Sequence, residues 1–421
     1  MIRRQHPGKW APWLLMALFL AAGCAQVNAD LVKLPPVELG VPASHPTLQA
    51  YGGAPIVGGN DVKILLNGEQ IFPALVEAIR AAKKSVTYAQ YFVEEGPVVD
   101  EVVDALTERC RAGIPGHILL DGVGSLSMPA RYTNALREAG CQVKTFRAVR
   151  PWALRRINNR NHRRILIVDG RVGFTGGSGV SAKWMGDGRT KDHWRDTDVR
   201  IEGPAVDWMQ AAFVENWLES TGEALGGDAY FVQPHAGRGQ MAVQVVRSSP
   251  EGGSYAIYNT LLIALHSARE TVRITNPYFL LDEAMTKAVV ERVQKGVKVE
   301  VLVPGTIDHA FVRQASRATW GPLLKAGVKI YEYQPALLHA KTMVVDGGWA
   351  TVGSTNLDPR SFALSQEMNV VIYDRAIARR LHEVFAADLE HAKPIDYETW
   401  NSRGFRARMF EILVYPVRDM L

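Results

Sequence analysis

Apolar positions recur along the chain with two alternating periods, one typical of helices and one typical of strands. Residues 70–83 repeat apolar side chains at the spacing of an amphipathic helix, and the aromatic and β-branched residues 85–93 indicate a strand. The same alternation predicts helices near 98–112 and 129–139, and strands near 117–121 and 142–146. Helices that alternate with apolar strands predict an α/β layered domain.

The second part of the chain repeats this pattern. The segment 264–279 resembles 78–92, and 286–304 resembles 100–122. Residues 323–333 in turn resemble 135–146. Two copies, rather than many, indicate a duplicated domain and not a solenoid. We therefore expect two similar α/β halves.

Composition shifts divide the chain into six segments. Pro, Gly and Ala are frequent before the first periodic segment, and Gly, Pro and Ser accumulate between the two halves. The expected organisation is a leader at 1–24, a tether at 25–58, a first half at 59–222, a linker at 223–252, a second half at 253–392 and a C-terminal amphipathic segment at 393–421.

Length and charge restrict the class of protein only broadly. The 421 residues allow two or three domains, and 47% hydrophobic with 22% charged residues is typical of a soluble globular protein. The formal net charge of +5 favours anionic partners. It does not decide between phospholipid headgroups and nucleic acid.

The N-terminus predicts export. Arg3, Arg4 and Lys9 precede the apolar residues 10–22, a stretch too short to cross a bilayer, as in a signal peptide. The stretch ends in a sequence that resembles a bacterial lipoprotein processing site, although its Leu lies one place early. We expect lipidation at Cys24 and anchoring in the cell envelope, where the outer membrane is one destination. An ordinary secretory signal and an uncleaved anchor remain alternatives.

The two other cysteines leave two interpretations open. Cys110 and Cys141 each lie just before a predicted strand, so neighbouring strand ends could bring them into a disulfide, which export would permit. Two buried free thiols are the alternative. Neither cysteine has metal-ligand spacing, and the sequence contains no HExxH or CxxC pattern. We therefore expect no metal and no cofactor.

One short motif occurs twice. In each copy a cation follows a histidine at +2, an Asp follows it at +7 and a Gly follows it at +14. The first copy is His162, Arg164, Asp169 and Gly176, and the second is His339, Lys341, Asp346 and Gly353. Residues two apart on a strand share a face, so each imidazole should point the same way as its cation. Each Asp stands at the far strand end beside a Gly, where it is better placed to hold structure than to attack substrate.

These residue types suit displacement at a phosphodiester. One imidazole can attack phosphorus to give a phosphohistidine, and the other, when protonated, can donate to the leaving alkoxide. The two cations and the Gly-rich backbone can hold the phosphate oxygens. Each imidazole also needs a group that orients its second nitrogen. Asp196 and Glu367 are available, and we expect each to serve the histidine of its own half.

With these motifs the chain resembles the phospholipase D superfamily, and most closely bacterial cardiolipin synthases. The stretches that carry the resemblance lie between about residues 60 and 390 and include NHRRILIVDG, HWRDTDVRIEG, LLHAKTMVVDG and VGSTNLDPRSF. The resemblance implies two α/β halves about a pseudo-twofold axis, with mixed sheets flanked by helices and the site between the halves. It implies that His162 and His339 are nucleophile and acid/base, with His162 favoured as the nucleophile. The groups that it implies for phosphate binding are Arg164, Lys341, Gly176, Ser354 and Asn356.

The first half departs from the family pattern. Arg164 replaces the usual Lys, and Gly177 and Gly179 stand where the second half has Ser354 and Asn356. Arg keeps the charge and can bind phosphate in a bidentate manner, but it cannot lend a proton. Ser365 also stands where relatives commonly carry Asn. A partly degenerate first half with slow or absent turnover therefore stays open.

An arginine-rich stretch precedes the first motif. Its arginines are Arg147, Arg150, Arg155, Arg156, Arg160, Arg163 and Arg164, with Trp152 among them. The stretch could face anionic lipid, bind nucleic-acid phosphate, or form an ordinary surface with its arginines paired to acids.

Together, these features predict an enzyme. It would transfer a phosphatidyl group through a phosphohistidine to a lipid or alcohol hydroxyl, acting on phospholipids at a membrane surface and not on nucleic acid. One chain carries both motifs, so a monomer is sufficient for one site. The alternatives are hydrolysis with water, as a phospholipase D or nuclease, and a non-enzymatic lipid-binding envelope protein.

Overall fold

A computed structural model describes residue 34 and residues 37–149, 158–233, 237–306 and 310–404. Its elements up to the end of the first half are α1 (His45–Gly52), β1 (Ile56–Leu66), α2 (Asn67–Arg80), β2 (Val86–Gln90), α3 (Pro97–Arg111), β3 (Gly116–Asp121), α4 (Ala130–Glu138), β4 (Gln142–Phe146), β5 (Ile165–Val168), β6 (Val172–Gly176), β7 (Thr197–Glu202) and α5 (Ala205–Thr221).

The second half repeats this series. Its elements are β8 (Met241–Ser248), α6 (Ala256–Ser267), β9 (Thr271–Thr275), α7 (Glu283–Gln294), β10 (Lys298–Pro304), α8 (Ala310–Ala326), β11 (Lys329–Tyr333), β12 (Thr342–Val345), β13 (Trp349–Gly353), α9 (Pro359–Ala363), β14 (Glu367–Tyr373), α10 (Arg375–Leu389), β15 (Ala392–Ile395) and α11 (Tyr397–Asn401).

The strands join into one mixed sheet of fifteen strands. Its order is β15-β11-β10-β9-β12-β13-β14-β8-β1-β7-β6-β5-β2-β3-β4. The antiparallel pair β1–β8 lies at the centre, and outward from it each strand of the first half has its counterpart in the second, which adds β15 at its outer edge. The strands β2, β3 and β4 are parallel, as are β9, β10 and β11. This symmetry confirms the predicted fold of two similar α/β halves about a pseudo-twofold axis.

Three large apolar clusters form the core. One lies in each half, as shown by α2, which buries Ile71, Leu75 and Ile79 on one face. The third cluster draws on both halves and includes Val199 and Val352. Because its side chains come from both copies, the two halves share a continuous interior.

The predicted elements of the first half agree closely with the structure, but the predicted tether and linker do not. Residues 45–52 form α1 within the expected tether, and Leu48 packs in a small apolar cluster with Ile263. The expected linker contains β8, a central strand whose Val243, Val245 and Val246 are buried. The prediction of a linker was wrong here because Gly, Pro and Ser residues are frequent on both sides of this valine-rich strand.

Part of the predicted C-terminal amphipathic segment also packs on the domain. Strand β15 pairs with β11, and the indole of Trp400 donates to the carbonyl of Arg317 on α8 at 2.6 Å. Residues 405–421 lie outside the described part of the chain. The described portion of this segment therefore packs against the second half.

The two cysteines left open by the sequence form a disulfide. The sulfurs of Cys110 and Cys141 are bonded, with Cα atoms 5.4 Å apart. The bond fastens the end of α3 to the residue before β4.

None of the helices in the described ranges is long and apolar enough to cross a bilayer. The leader and Cys24 lie outside these ranges, and lipidation and envelope anchoring stay predictions from the sequence.

Candidate active site

Both motif histidines line one cavity of about 590 Å³. The residues that surround it are Tyr91, Phe92, Val123, Gly124, Leu126, Ser127, Arg160, His162, Arg164, Trp184, Trp194, Tyr278, His339, Asn356, Asp358, Arg360, Ser361 and Ser365. They come from both halves, so the cavity has the position that the duplication predicts.

Backbone hydrogen bonds between the halves bring the two motifs together. The N–H of His162 donates to the carbonyl of Gln366 at 2.9 Å, and the N–H of His339 donates to the carbonyl of Arg195 at 2.7 Å. Gln366 and Arg195 each directly precede one of the two predicted orienting acids. Each motif strand is therefore fastened beside the acid of the opposite half.

The orienting acids are consequently exchanged between the halves. Nδ1 of His162 lies 2.9 Å from Oε1 of Glu367, and Nδ1 of His339 lies 2.8 Å from Oδ2 of Asp196. The expectation that each acid serves the histidine of its own half is wrong. These contacts leave the Nε2 atoms as the imidazole nitrogens available to a substrate.

The motif cations lie beside their histidines, as strand alternation predicts. Nη2 of Arg164 is 3.1 Å from Nε2 of His162, and Nζ of Lys341 is 3.0 Å from Nε2 of His339. Both cations are almost fully buried. Two buried cations are thus held beside the imidazoles that a phosphate would contact.

The His162–Glu367 pair carries a proton at neutral pH. Burial raises the pKa of Glu367 to about 8, although Ser354 and Arg164 oppose this shift. Burial also lowers the pKa of His162 well below its usual value, and the charges of Arg164 and Lys341 add to the effect. The carboxyl group thus retains its proton while the imidazole is neutral.

The His339–Asp196 pair is ionised differently. Burial and the charge of Lys341 lower the pKa of His339 to about 4, against the opposing effect of Asp196. Burial alone would raise the pKa of Asp196, but the hydrogen bond from His339 and nearby positive charge bring it to about 2. The two pairs therefore differ by one proton at neutral pH.

Trp184 donates a hydrogen bond to the acid of the first half, the role that a serine has in the second half. In the second half, the hydroxyl of Ser354 donates to Oε2 of Glu367. The corresponding residue is Gly177, where a Cβ would lie too close to the carboxylate of Asp196. The indole N–H of Trp184 donates to Oδ2 of Asp196 at 2.8 Å instead. Each acid thus keeps a side-chain donor by a different route.

The same tryptophan occupies space beside the other missing motif residue. A Cβ at Gly179 would lie 3.0 Å from the Trp184 ring, whereas the second half has Asn356 at this place. The Trp184 ring also meets that of His339 edge-on, with centroids 5.2 Å apart. Sequence reasoning missed Trp184, because nothing in its position between the motif and Asp196 indicated a contact with either.

Several predicted site residues do not line the cavity. The Asp169 carboxylate accepts backbone N–H bonds from residues 83–85, and the Asp346 carboxylate from residues 269–271, in agreement with a structural role. Gly176 packs against Asp198, and the Ser354 hydroxyl faces Glu367. Of the residues predicted to hold phosphate besides the two cations, only Asn356 lines the cavity, with its Oδ1 unpartnered within the described structure.

The arginine-rich stretch is partly internal. Arg163 is fully buried and pairs with Glu215, while Arg147 pairs with Glu219. Residues 150–157, including Trp152, lie outside the described ranges. Over those ranges there is also no group of three or more His, Cys, Asp or Glu side chains arranged to hold a metal ion.

The duplicated fold and its paired histidine–cation sites define an enzyme of the phospholipase D superfamily, of the phosphatidyltransferase type. The chain belongs to the family described as cardiolipin synthase, PLD-like domain, whose model matches residues 75–217 and 261–389. The two matched segments correspond to the two halves of the fold.

Individual relatives agree with this assignment. The chain is 33% identical to cardiolipin synthase 1 of Bacillus cereus over 382 residues, which is 89% of this chain and 75% of that protein. It is also 33% identical to cardiolipin synthase A of Pseudomonas syringae pv. syringae over 390 residues, or 92% and 78% of the two chains. Among solved structures, phosphatidylserine synthase of Haemophilus influenzae Rd KW20 has a TM-score of 0.69 at 14% identity, covering 89% of this chain and 98% of that one, and so supports the fold.

Proposed function

We propose that this protein transfers a phosphatidyl group from one phospholipid to the hydroxyl of a second lipid or a small alcohol, through a phosphohistidine. The observation that supports this most directly is the pair of acid-oriented imidazoles, each with its own cation, on one cavity. The relatives named cardiolipin synthase point to the same reaction class.

In the first step, Nε2 of His162 attacks the phosphorus of the donor. The N–P bond forms, the bond from phosphorus to the headgroup oxygen breaks, and that oxygen takes a proton from His339. The negative charge of the bound phosphodiester raises the pKa of the His339 imidazole and so favours its protonated form. Arg164 and Lys341 hold the phosphate oxygens as charge develops on them.

In the second step, the acceptor hydroxyl gives its proton to His339. Its oxygen then attacks phosphorus, and the N–P bond to His162 breaks. This returns both imidazoles to their starting states. With water as the acceptor the same residues would perform hydrolysis, so the acceptor decides between a transferase and a phospholipase D.

Export to the bacterial cell envelope and anchoring at a membrane through Cys24 form part of this proposal. The Cys110–Cys141 disulfide supports it, because such bonds persist in oxidising compartments outside the cytosol. Mass spectrometry of the mature N-terminus, in wild type and in Cys24→Ser, tests it. A wild-type chain without lipid on Cys24 would contradict the anchoring.

The reaction can be tested with purified protein and phosphatidylglycerol vesicles. We expect cardiolipin and free glycerol by mass spectrometry, and loss of both in His162→Ala and His339→Ala. His391→Ala, at an exposed histidine outside the cavity, is the matched control. Absence of a lipid product from any phospholipid donor would refute the proposal, and phosphatidic acid as the sole product in the presence of excess alcohol would indicate a hydrolase.

Rapid acid or alkaline quenching assigns the two histidines. His339→Ala should still form a phosphorylated adduct on His162 with a donor whose headgroup leaves easily, because such a group needs little protonation. His162→Ala should form none. An adduct on His339 would reverse the assignment.

A further inference from the structure

One wall of the cavity is apolar and continues to the outer surface. Leu126 lines the cavity and is 70% exposed, more than any other large apolar side chain in the described ranges. It lies in the loop that follows β3. The serine hydroxyls on either side of it donate to the carbonyls of Tyr91 and Val93, at 3.2 and 3.3 Å. An exposed leucine is thus fastened beside Phe92, which also lines the cavity.

Aromatic rings continue this wall to the reaction centre. The Phe92 and Trp184 ring centroids lie 5.6 Å apart, and those of Trp184 and Trp194 lie 4.4 Å apart. Trp194 lies 5.4 Å from the His339 ring. The ammonium of Lys183 lies 5.3 Å from the Phe92 centroid and 5.8 Å from that of Trp194. Aromatic rings with a lysine beside them are typical of surfaces that meet a membrane.

A second exposed apolar side chain lies on a segment that adjoins the loop. The N–H of Gly122 donates to the carbonyl of Phe146 at 2.9 Å, and Val149, which is 45% exposed, follows three residues later. These segments follow the carboxyl ends of the parallel strands β3 and β4, so they lie at one edge of the sheet. Two exposed apolar residues on adjoining segments beside a cavity mark this edge as a docking surface.

The size of the cavity keeps long acyl chains outside it. Its volume of about 590 Å³ is that of a pocket for a drug-sized molecule, and a phospholipid with two long acyl chains is much larger. Only the phosphodiester and the groups next to it fit beside the imidazoles. Every CH₂ group that leaves a bilayer for water costs free energy. The arrangement of lowest free energy therefore places the mouth of the cavity against the bilayer.

We propose that Leu126 and Val149, with the aromatic wall behind Leu126, dock on the hydrocarbon of a lipid bilayer. A phospholipid then presents its phosphodiester to the two histidines while its acyl chains stay in the membrane. The inference rests on the proposed function and adds the orientation of the enzyme on its substrate surface. No covalent bond forms or breaks at the docking surface. A second copy of the chain is the alternative occupant.

Fluorescent labels test the docking without turnover. Leu126→Cys and Tyr397→Cys are made in a Cys24→Ser background. Each then offers one free thiol to a polarity-sensitive fluorophore, because the other two cysteines are bonded to each other. Tyr397 is the matched control, since it is 38% exposed and follows β15 at the opposite edge of the sheet. With vesicles of phosphatidylglycerol and phosphatidylcholine, we expect the label at position 126 to emit at shorter wavelength and to be quenched by nitroxides on the acyl chains.

The label at position 397 should show neither effect. Equal responses at the two positions, or no response at position 126, would overturn the proposal. A shift at position 126 that appears without vesicles and grows with protein concentration would assign the surface to a second copy of the chain. That result would overturn the bilayer as the occupant.

Turnover separates this inference from the proposed function. Leu126→Asp and Val149→Asp should lower kcat/KM with phosphatidylglycerol vesicles about ten-fold or more, because a charged side chain opposes entry of this surface into hydrocarbon. The loss should be smaller with dibutyryl phosphatidylglycerol, a short-chain donor that dissolves as single molecules, and Tyr397→Asp should lose little with either donor. Equal losses with both donors would overturn the docking. No turnover of either donor by the wild-type protein would refute the proposed function, and the labels would still decide the docking.

Discussion

The exchange of orienting acids between the halves predicts which residues are energetically coupled. Asp196 should couple to His339 of the second half and not to His162 of its own half. The perturbation is a double-mutant cycle of Asp196→Asn with His339→Ala, compared with a cycle of Asp196→Asn with His162→Ala. Stability rather than activity is the readout, because every one of these variants should lose turnover.

The structure gives the expected magnitude. The pKa of Asp196 falls from its ordinary value of 3.8 to about 2, which corresponds to about 2 kcal/mol in favour of the ionised, paired carboxylate. The His339 bond is the first of the contacts that lower it, so about 1 to 2 kcal/mol of coupling belongs to that pair. We expect the His162 cycle to be additive within about 0.5 kcal/mol.

Urea unfolding followed by circular dichroism measures the four free energies of unfolding in each cycle at pH 7. Because the pKa of Asp196 is lowered in the folded state, its contribution is present above about pH 4. It should decline as the pH falls toward 2. The coupling should follow the same course. Coupling of Asp196 to His162 by more than about 1 kcal/mol, with none to His339, would refute the crossed arrangement.

Three further predictions concern single features. Trp184→Phe removes the N–H donor to Asp196 and should lower transfer kcat/KM about ten-fold or more. Trp194→Phe breaks no bond to Asp196 and should lower kcat/KM less, so equal losses in the two variants would contradict the proposed role of Trp184. Binding of dimethyl phosphate, whose charge is constant, should weaken above pH 8 as Glu367 loses its proton, and calorimetry on Glu367→Gln should show no such decline. Cys110→Ser with Cys141→Ser should lower the free energy of unfolding by about 3 to 4 kcal/mol, given a sequence separation of 31 residues, and denaturant titration with and without reductant checks this.

Local patterns predicted the fold well where the hydrophobic pattern of a single segment is sufficient to identify it as a helix or a strand. The strand predicted at 142–146 is β4, and the helix predicted near 98–112 is α3. Strand β8 was missed because its valines stand among Gly, Pro and Ser, and only its pairing with β1 and β14 shows it to be central. Composition alone cannot distinguish a linker from a short buried strand.

The candidate site was predictable in its residues but not in its pairings. The spacing of the motifs identified His162, His339 and their cations, because residues two apart on a strand share a face. The exchange of Asp196 and Glu367 depends on hydrogen bonds between distant segments, which spacing within one half does not encode. The role of Trp184 was likewise not predicted. A tryptophan N–H makes the hydrogen bond to Asp196 that a serine hydroxyl makes in the other half, and the two residue types do not resemble each other in a sequence.

The crossed acids also bear on how the two copies can diverge. A duplicated enzyme whose copies each held a complete histidine–acid pair could lose one copy and keep a working pair in the other. Here each imidazole is oriented by a carboxylate encoded in the opposite copy. A substitution at either acid therefore acts on the histidine of the other repeat, so the two repeats must evolve as one unit although they arose as duplicates.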